Sequence, residues 1–438
     1  MSEQFSPMRA RGLVEARLSR SVQDSLEAAV CLEAWGGAQT ETALGVAAGV
    51  VRQDAQRPGP VVPPRPEKPG VDRRGVVAEG IALLLAITAV AMWASPLSEQ
   101  FGASVWNQAL VLALPITFAL QWALRSRYLA TEDGLAHLRA DLVPCAGVLA
   151  VLVGALVFAG PAGTIAALLV VPWVVGPVLV RRGWGLGYGI GLVGAALALH
   201  AEAAPAVVLW CLASSLLAAV VVALPSRDGR VRGPGAPLRR AVIGAVIGYG
   251  LGLLVVSDHT VGFGVRGTFP ALALVPATVG GFWCGLHLWR LHDVLPRSLR
   301  ALSLERVDRA VASGEVLTVI GKALARLVVA TVALSAVVLA IGPWTSGASD
   351  VGLLIAFGCF ALVSALVGIA AGFGHLGWAV ASVAVAVATE AVCTAAGGFP
   401  IPGAGLIAGS AAGALLALPP VIRLSFRPGR AIATSVWI

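Results

Sequence analysis

The sequence predicts an all-α, polytopic membrane protein of about twelve transmembrane helices arranged as two six-helix bundles. Three observations support this fold class: long apolar runs recur along most of the chain, basic residues fall almost entirely in alternate loops, and the two halves share a pattern of loop lengths. Of the 438 residues, 58% are hydrophobic and 12% are charged, whereas a soluble protein carries roughly 25% charged residues. Buried helices of a large soluble protein are the alternative, but they would not recur so often in one chain.

The apolar runs begin at Val76 and are separated by short polar breaks. An α-helix rises 1.5 Å per residue, so a run of about twenty residues crosses the ~30 Å hydrocarbon core of a bilayer. The predicted spans are 76–94, 105–124, 142–158, 164–180, 183–199, 206–224, 241–257, 268–289, 327–343, 351–373, 378–396 and 404–422.

Basic residues give the orientation of these spans. Of the 31 Lys and Arg residues, Arg266 alone falls in a loop that follows an odd-numbered span. Because cytoplasmic loops carry the excess of Lys and Arg, both termini are predicted to lie in the cytoplasm, with the spans in the cytoplasmic (inner or plasma) membrane. The net charge of +8 is therefore interpreted as a topology signal and a contact for anionic membrane lipids, and no nucleic-acid partner is predicted.

The chain divides into six predicted segments. They are a cytoplasmic helical extension (1–56), a proline-rich linker (57–75), an N-terminal six-helix bundle (76–224), a cytoplasmic linker (225–240), a C-terminal six-helix bundle (241–422) and a cytoplasmic tail (423–438). Parallel orientation of the two bundles follows because six is even. Tandem repeats of this kind are common in secondary transporters, with the substrate path between the halves, and a duplicated scaffold is the alternative.

Two features of the halves and the extension support this division. Span 2 contains Leu112–Pro115 (LALP) and span 8 contains Leu272–Pro276 (LALVP), each followed by a long cytoplasmic segment. In the extension, apolar spacing from Leu13 to Leu32 predicts an amphipathic helix, and 40–51 predicts a second one. This extension is expected either to dock a cytoplasmic or membrane protein partner or to lie on the membrane surface.

Ionisable and polar residues inside the spans are candidates for a substrate or ion path, because each charge costs about 2.5–3.5 kcal/mol at the centre of a membrane helix. Glu390, in span 11, is the clearest; it binds a coupling ion or proton, or is a structural carboxyl group. Glu79 lies near the inner end of span 1, where it can reach the interface. Asn107 and Gln108, near the outer start of span 2, are polar groups that could line a cavity. His287, near the inner end of span 8, could do the same or could lie at the membrane interface.

A second group of candidates lies at the outer ends of spans 7 and 8. Asp258 and His259 end span 7, and Arg266 precedes span 8. A guanidinium group binds phosphate in a forked manner, so Arg266 suits an anionic headgroup. A simple pair between Asp258 and Arg266 at the interface is the other interpretation.

Several chemical motifs are missing from the sequence. It contains no P-loop, HExxH or nucleophile elbow, and the six cysteines are scattered singly. We therefore predict no enzyme activity, no cofactor and no metal site.

Two segments resemble a known family. Ser126–Gly160 (SRYLATEDGLAHLRADLVPCAGVLAVLVGALVFAG) resembles the region of spans 2 and 3 in the polysaccharide and lipid-linked oligosaccharide flippases of the MOP (MATE-like) superfamily. Val255–Gly262 (VVSDHTVG) is similar to an aspartate-containing corner of that family. The resemblance implies two six-helix bundles around a central cavity, alternating access, and a lipid-linked or polysaccharide substrate.

Three other functions fit parts of the pattern. A major-facilitator-type exporter of small molecules also has six plus six spans, but its usual motif after span 2 is missing here. A membrane glycosyltransferase would use outer acids such as Asp258 or Glu202. A non-transporting scaffold would recruit partners through the extension.

Overall fold

The structure is a computed structural model. It describes residues 7–18, 25–36, 43, 45–50, 73–129, 134–201, 205–224, 237–257, 269–289, 309–346, 350–396 and 401–426. Every regular element among these residues is helical.

The first part of the described chain forms nine α-helices. They are α1 (Pro7–Leu18), α2 (Ser25–Gly36), α3 (Arg73–Phe101), α4 (Ala103–Leu124), α5 (Gly134–Ala140), α6 (Leu142–Phe158), α7 (Pro161–Arg181), α8 (Gly185–His200) and α9 (Pro205–Ala223). A π-helical turn over Arg125–Leu129 ends α4. The second part forms α10 (Leu238–Ser257), α11 (Phe269–Trp289), α12 (Arg309–Ser346), α13 (Val351–Gly372), α14 (Leu376–Ala395) and α15 (Ala404–Phe426).

These helices confirm the predicted class, an all-α polytopic membrane protein. Eight helices of the described chain are long and apolar enough to cross a membrane. Four shorter apolar helices, Leu142–Phe158, Gly185–His200, Val207–Ala223 and Leu272–Gly285, stand at the positions of spans 3, 5, 6 and 8. Together they occupy all twelve predicted positions.

The connection between spans 1 and 2 corrects one expectation. The polar sequence after span 1 was interpreted as a loop, but α3 continues through Pro96 to Phe101. Gly102 alone then separates α3 from α4, and its φ of 89° is in the region that favours glycine. The prediction of a loop was wrong because it rested on the polarity of these residues. Polarity alone does not distinguish a loop from a solvent-exposed helical turn.

Buried side chains form two large clusters that follow the two halves. One cluster is drawn from α3 to α9, with Trp93, Trp106 and Leu192 among its most buried members. The other is drawn almost entirely from α10 to α15 and includes Leu254 and Phe357. Each half therefore has a core of its own.

Five helix pairs that are packed together in the first half have counterparts that are packed together in the second half. The repeated pairs are α3–α8 with α10–α14, α4–α7 with α11–α13, α6–α7 with α12–α13, α7–α9 with α13–α15, and α8–α9 with α14–α15. The contacts between the halves are paired in the same way: α4 of the first half packs on α10 of the second, and the corresponding helix α11 of the second half packs on α3 of the first. The correspondence is partial, because α11 packs along α12 whereas α4 and α6 form no comparable contact among the described residues, and the parallel repeat stays a prediction.

Helix α7 shows how the fold satisfies polar backbone groups in an apolar environment. Pro172 and Pro177 have no N–H, so the carbonyl groups of Leu168 and Trp173, four residues earlier in each case, lose their helical donors. The thiol of Cys211 donates to the Leu168 carbonyl oxygen at 3.4 Å. The amide Nε2 of Gln121 donates to the Trp173 carbonyl oxygen at 2.7 Å. Side chains of α9 and α4 thus replace the missing backbone bonds, as a membrane interior requires.

Candidate functional site

The two halves meet along a seam between α4 and α10. Three glycines spaced four residues apart on α10, Gly244, Gly248 and Gly252, form one face of that helix. A Cβ at Gly244 would lie 2.8 Å from the carbonyl oxygen of Trp122, and a Cβ at Gly252 would lie 2.9 Å from the backbone N of Pro115. Small residues at this spacing let two backbones approach closely, so the seam is a tight helix–helix contact.

On the α4 side of this seam, large side chains pack against the hydrophobic core of the second half. Leu114, Phe118 and Trp122 pack against the core of α10 to α15, and the rings of Phe118 and Phe360 meet edge to face at 6.2 Å between centroids. The hydroxyl of Ser126 donates to the carbonyl oxygen of Arg240 at 3.1 Å. The contact therefore extends from the middle of α4 to its predicted cytoplasmic end.

Towards the predicted outer side, the same face of α4 is open. At 100° per residue, Val111 and Asn107 lie within about 20° of Phe118 around the helix axis. Val111 is 49% exposed, Gln108 is exposed and Asn107 is half-buried. Because this face is covered in the inner half and exposed in the outer half, we infer that a cleft between the halves begins above Leu114. We call it the outer cleft, lined on α4 by Asn107, Gln108 and Val111.

Glu390 lies on α14, where its side chain is completely buried. A Cβ at Gly409 of α15 would lie 2.9 Å from the Cβ of Glu390, so the two helices are close at this level. Gly250 of α10 faces Val383, which is two helical turns before Glu390 on the same side of α14. The carboxyl group thus lies where α10, α14 and α15 meet.

The structure does not bring Glu390 together with the polar residues of the outer cleft. Gly248 and Gly252 face α4 while Gly250 faces α14, so α10 lies between α4 and α14. Glu390 is therefore one helix behind the seam, whereas Asn107 and Gln108 lie at its outer edge.

The other predicted site residues are placed only in part. Glu79 and His287 lie in α3 and α11, with side chains outside the described residues. A Cβ at Gly80 would lie 3.3 Å from the Phe282 ring, so the predicted inner ends of these two helices meet. Asp258, His259 and Arg266 lie outside the described residues.

A polar cluster that the sequence analysis missed joins span 2 to span 3. Asp141 Oδ2 accepts from Arg127 Nη2 and from the hydroxyl of Tyr128, both at 2.7 Å. The Cys145 sulfur is 3.7 Å from the same hydroxyl oxygen. The hydrogen bond from Tyr128 and the charge and hydrogen bond of Arg127 hold the pKa of Asp141 below its usual value. Beneath them pack Leu138, Val178 and Val222.

This cluster fixes the segment that carries the family resemblance. Its sequence signal was one acid before the apolar run of span 3, in a loop rich in arginine. This acid alone did not identify Arg127 or Tyr128 as its partners. Arg127 is fourteen residues away from Asp141, and the sequence shows no pattern for the π-helical turn that places both side chains. The cluster connects the end of span 2 to the start of span 3 by hydrogen bonds, and we assign no catalytic or binding role to it.

The fold defines the class: an all-α, multi-pass membrane protein whose two halves meet along the seam between α4 and α10. Among the described residues, no group of three or more His, Cys, Asp or Glu residues could hold a metal ion.

Comparisons with known proteins add little to this definition. No protein-family model matches the chain, and no curated protein matches it. Among solved structures, the chain is similar to a MATE protein described as the crystal structure of MATE in complex with MaL6. The identity is 12%, the alignment covers 83% of this chain and 97% of that chain, and the TM-score is 0.41.

Proposed function

We propose that this protein is a membrane transporter that works by alternating access between its two halves. The observation that carries the proposal is the seam: glycines of α10 contact α4 from Pro115 to the predicted inner ends of both helices, whereas further out Gln108 is exposed and Asn107 is half-buried. A path between repeated halves, closed on one side, is the arrangement that alternating access requires. On this proposal, the structure would represent a state open to the outer side.

For the substrate, we propose a lipid-linked or polysaccharide-type molecule moved across the cytoplasmic membrane, as in a flippase. The support is the resemblance of Ser126–Gly160 and the mixed lining of the outer cleft. Amide groups at Asn107 and Gln108 beside the apolar Val111 suit hydroxyl-rich groups attached to an apolar chain. Movement of the halves would expose this lining first to one side and then to the other.

The test uses the full chain reconstituted into vesicles that contain a polyprenyl-linked saccharide labelled with the fluorophore NBD. Dithionite added outside quenches only NBD in the outer leaflet. We expect quenching to proceed beyond the fraction found in protein-free vesicles. The double variant Asn107→Leu/Gln108→Leu should reduce the rate, while Val392→Leu, an exposed position on α14, should leave it unchanged. Quenching that stops at the protein-free level would contradict the proposed substrate class.

A scaffold is the second candidate, favoured by the core that residues of the extension form among themselves. Deleting residues 1–56 separates the two functions. If quenching persists in the deletion variant, a purely scaffolding role is excluded. If no labelled substrate moves with the full chain but a membrane partner is lost on deletion, the scaffold is favoured instead.

A further inference from the structure

The middle of helix α2 in the N-terminal extension is deeply buried. Five consecutive residues, Ala28 to Leu32, are each at most 5% exposed. Successive residues of an α-helix are 100° apart, so five in a row cover the whole circumference. A surface helix normally keeps one polar, solvated face, and a helix that is buried all round lies inside a larger structure.

The residues of α2 belong to two different cores. Ala28, Ala29, Cys31 and Leu32 pack with residues of α1 and with Ala43, Ala47 and Val50 in a core that belongs to the extension alone. Val30, about 180° from Ala28 and Leu32 around the helix, belongs instead to the core of α10 to α15. Val30 of α2 is thus buried with residues of the second half, while the opposite side of α2 packs within the extension.

The core of the extension is small. Alanines make up five of its nine buried residues, namely Ala10, Ala28, Ala29, Ala43 and Ala47. Small domains bury too little apolar surface to be stable by that means alone. The extension therefore depends on a larger surface to keep its helices packed, and Val30 identifies that surface as the second half.

We propose that the described residues of the extension, 7–18, 25–36, 43 and 45–50, form a cap that docks through Val30 onto the second half of this same chain and moves with it. The docked face of α2 is then occupied by the protein itself and is closed to other partners. Residues 51–72, which lie outside the described residues, connect the cap to α3 of the first half. Twenty-two residues reach at most about 70 Å when extended, so this connection alone would not hold the cap in place. The inference does not depend on transport.

Cutting the connection tests the proposal in the full-length protein. A recognition sequence for a specific protease is inserted after Pro64, the purified protein is cleaved in detergent, and size-exclusion chromatography shows whether the N-terminal fragment elutes with the membrane part. We expect the wild-type fragment to remain bound. In Val30→Arg, which places a charge in the docked face, we expect the fragment to elute separately after cleavage.

Gly12→Arg is the matched control, because nothing lies within 4 Å of a Cβ at Gly12. It adds the same charge to the cap away from Val30, and its fragment should remain bound. Val30→Ala, a milder change, should release part of the fragment if Val30→Arg cannot be recovered folded. A wild-type fragment that separates on cleavage, a Val30→Arg fragment that stays bound, or equal release by Gly12→Arg would each overturn the proposed interface.

Discussion

Replacing Gly248 by alanine tests whether the glycine seam holds the protein in the state described. A Cβ at Gly248 would lie 2.6 Å from the carbonyl carbon of Phe118 and 2.9 Å from the Cβ of Trp122. Carbon atoms that are not bonded are most stable about 3.5–4.0 Å apart, so α4 and α10 must separate by roughly 1 Å. The obstacle is backbone, which cannot rotate away as a side chain would.

The cost of this overpacking is about 1–3 kcal/mol, and it applies only to the state in which the seam is closed. Since 1.4 kcal/mol is a factor of ten, the ratio of open to closed seam should rise about 5- to 150-fold. The intrinsic effect of Gly→Ala in a helix has the opposite sign, a gain of roughly 0.5–1 kcal/mol. Gly281→Ala on α11 measures that gain alone, because nothing lies within 4 Å of a Cβ there.

Thiol labelling reports the opening. In a variant whose native cysteines are replaced, Ser126→Cys is exposed to a membrane-impermeant maleimide in inside-out vesicles. Ser126 is half-buried and its hydroxyl contacts Arg240 across the seam, so labelling should be slow. Gly248→Ala should accelerate it and Gly281→Ala should not. Equal labelling rates in the two variants would refute the seam as the cytoplasmic closure.

Three further predictions concern single side chains. Glu390→Gln should slow NBD quenching by about tenfold while the melting temperature is unchanged, and an unchanged rate would remove Glu390 from the mechanism. Asp141→Asn should lower stability at neutral pH by about 1 kcal/mol. Because the pKa of Asp141 is depressed in the fold, its contribution is present above the usual value of 3.8 and is lost as the pH falls below it. Melting curves of the wild type should show this loss, and a variant with the same pH profile would contradict it. Gln121→Leu should lower the free energy of unfolding by about 0.6 kcal/mol. In a Pro177→Ala background the loss should be much smaller, because residue 177 can again donate to the Trp173 carbonyl oxygen. An equal loss in both backgrounds would show that Gln121 does not replace the missing backbone hydrogen bond.

The fold class could be predicted from the sequence because it depends on local properties of each segment. Each apolar run must satisfy its own backbone as a helix, and loop charge adds the orientation. Pro172 and Pro177 can be read from the sequence as breaks in the helical hydrogen bonding of span 4. Their replacement donors, Cys211 and Gln121, cannot be read in this way, because they come from helices forty or more residues away.

The candidate site was harder to predict because it depends on how helices pack. Asn107 and Gln108 were identified by polarity alone, and the structure places them at an open edge. Glu390 was identified by the cost of its charge, but no pattern in α14 shows that α10 separates it from the cleft. The glycines of α10 had a regular spacing, yet spacing does not reveal which neighbour a glycine face contacts.

The measurement that tests alternating access most directly is a pair of spin-label distances in lipid nanodiscs. One pair, at the exposed positions Arg181 and Lys322, joins the predicted inner ends of the two halves, and the other, at Gln108 and Val392, joins their outer ends. In Gly248→Ala, we expect a longer inner distance to gain population together with a shorter outer distance. Inner and outer distances that lengthen together, or that do not change, would contradict the account.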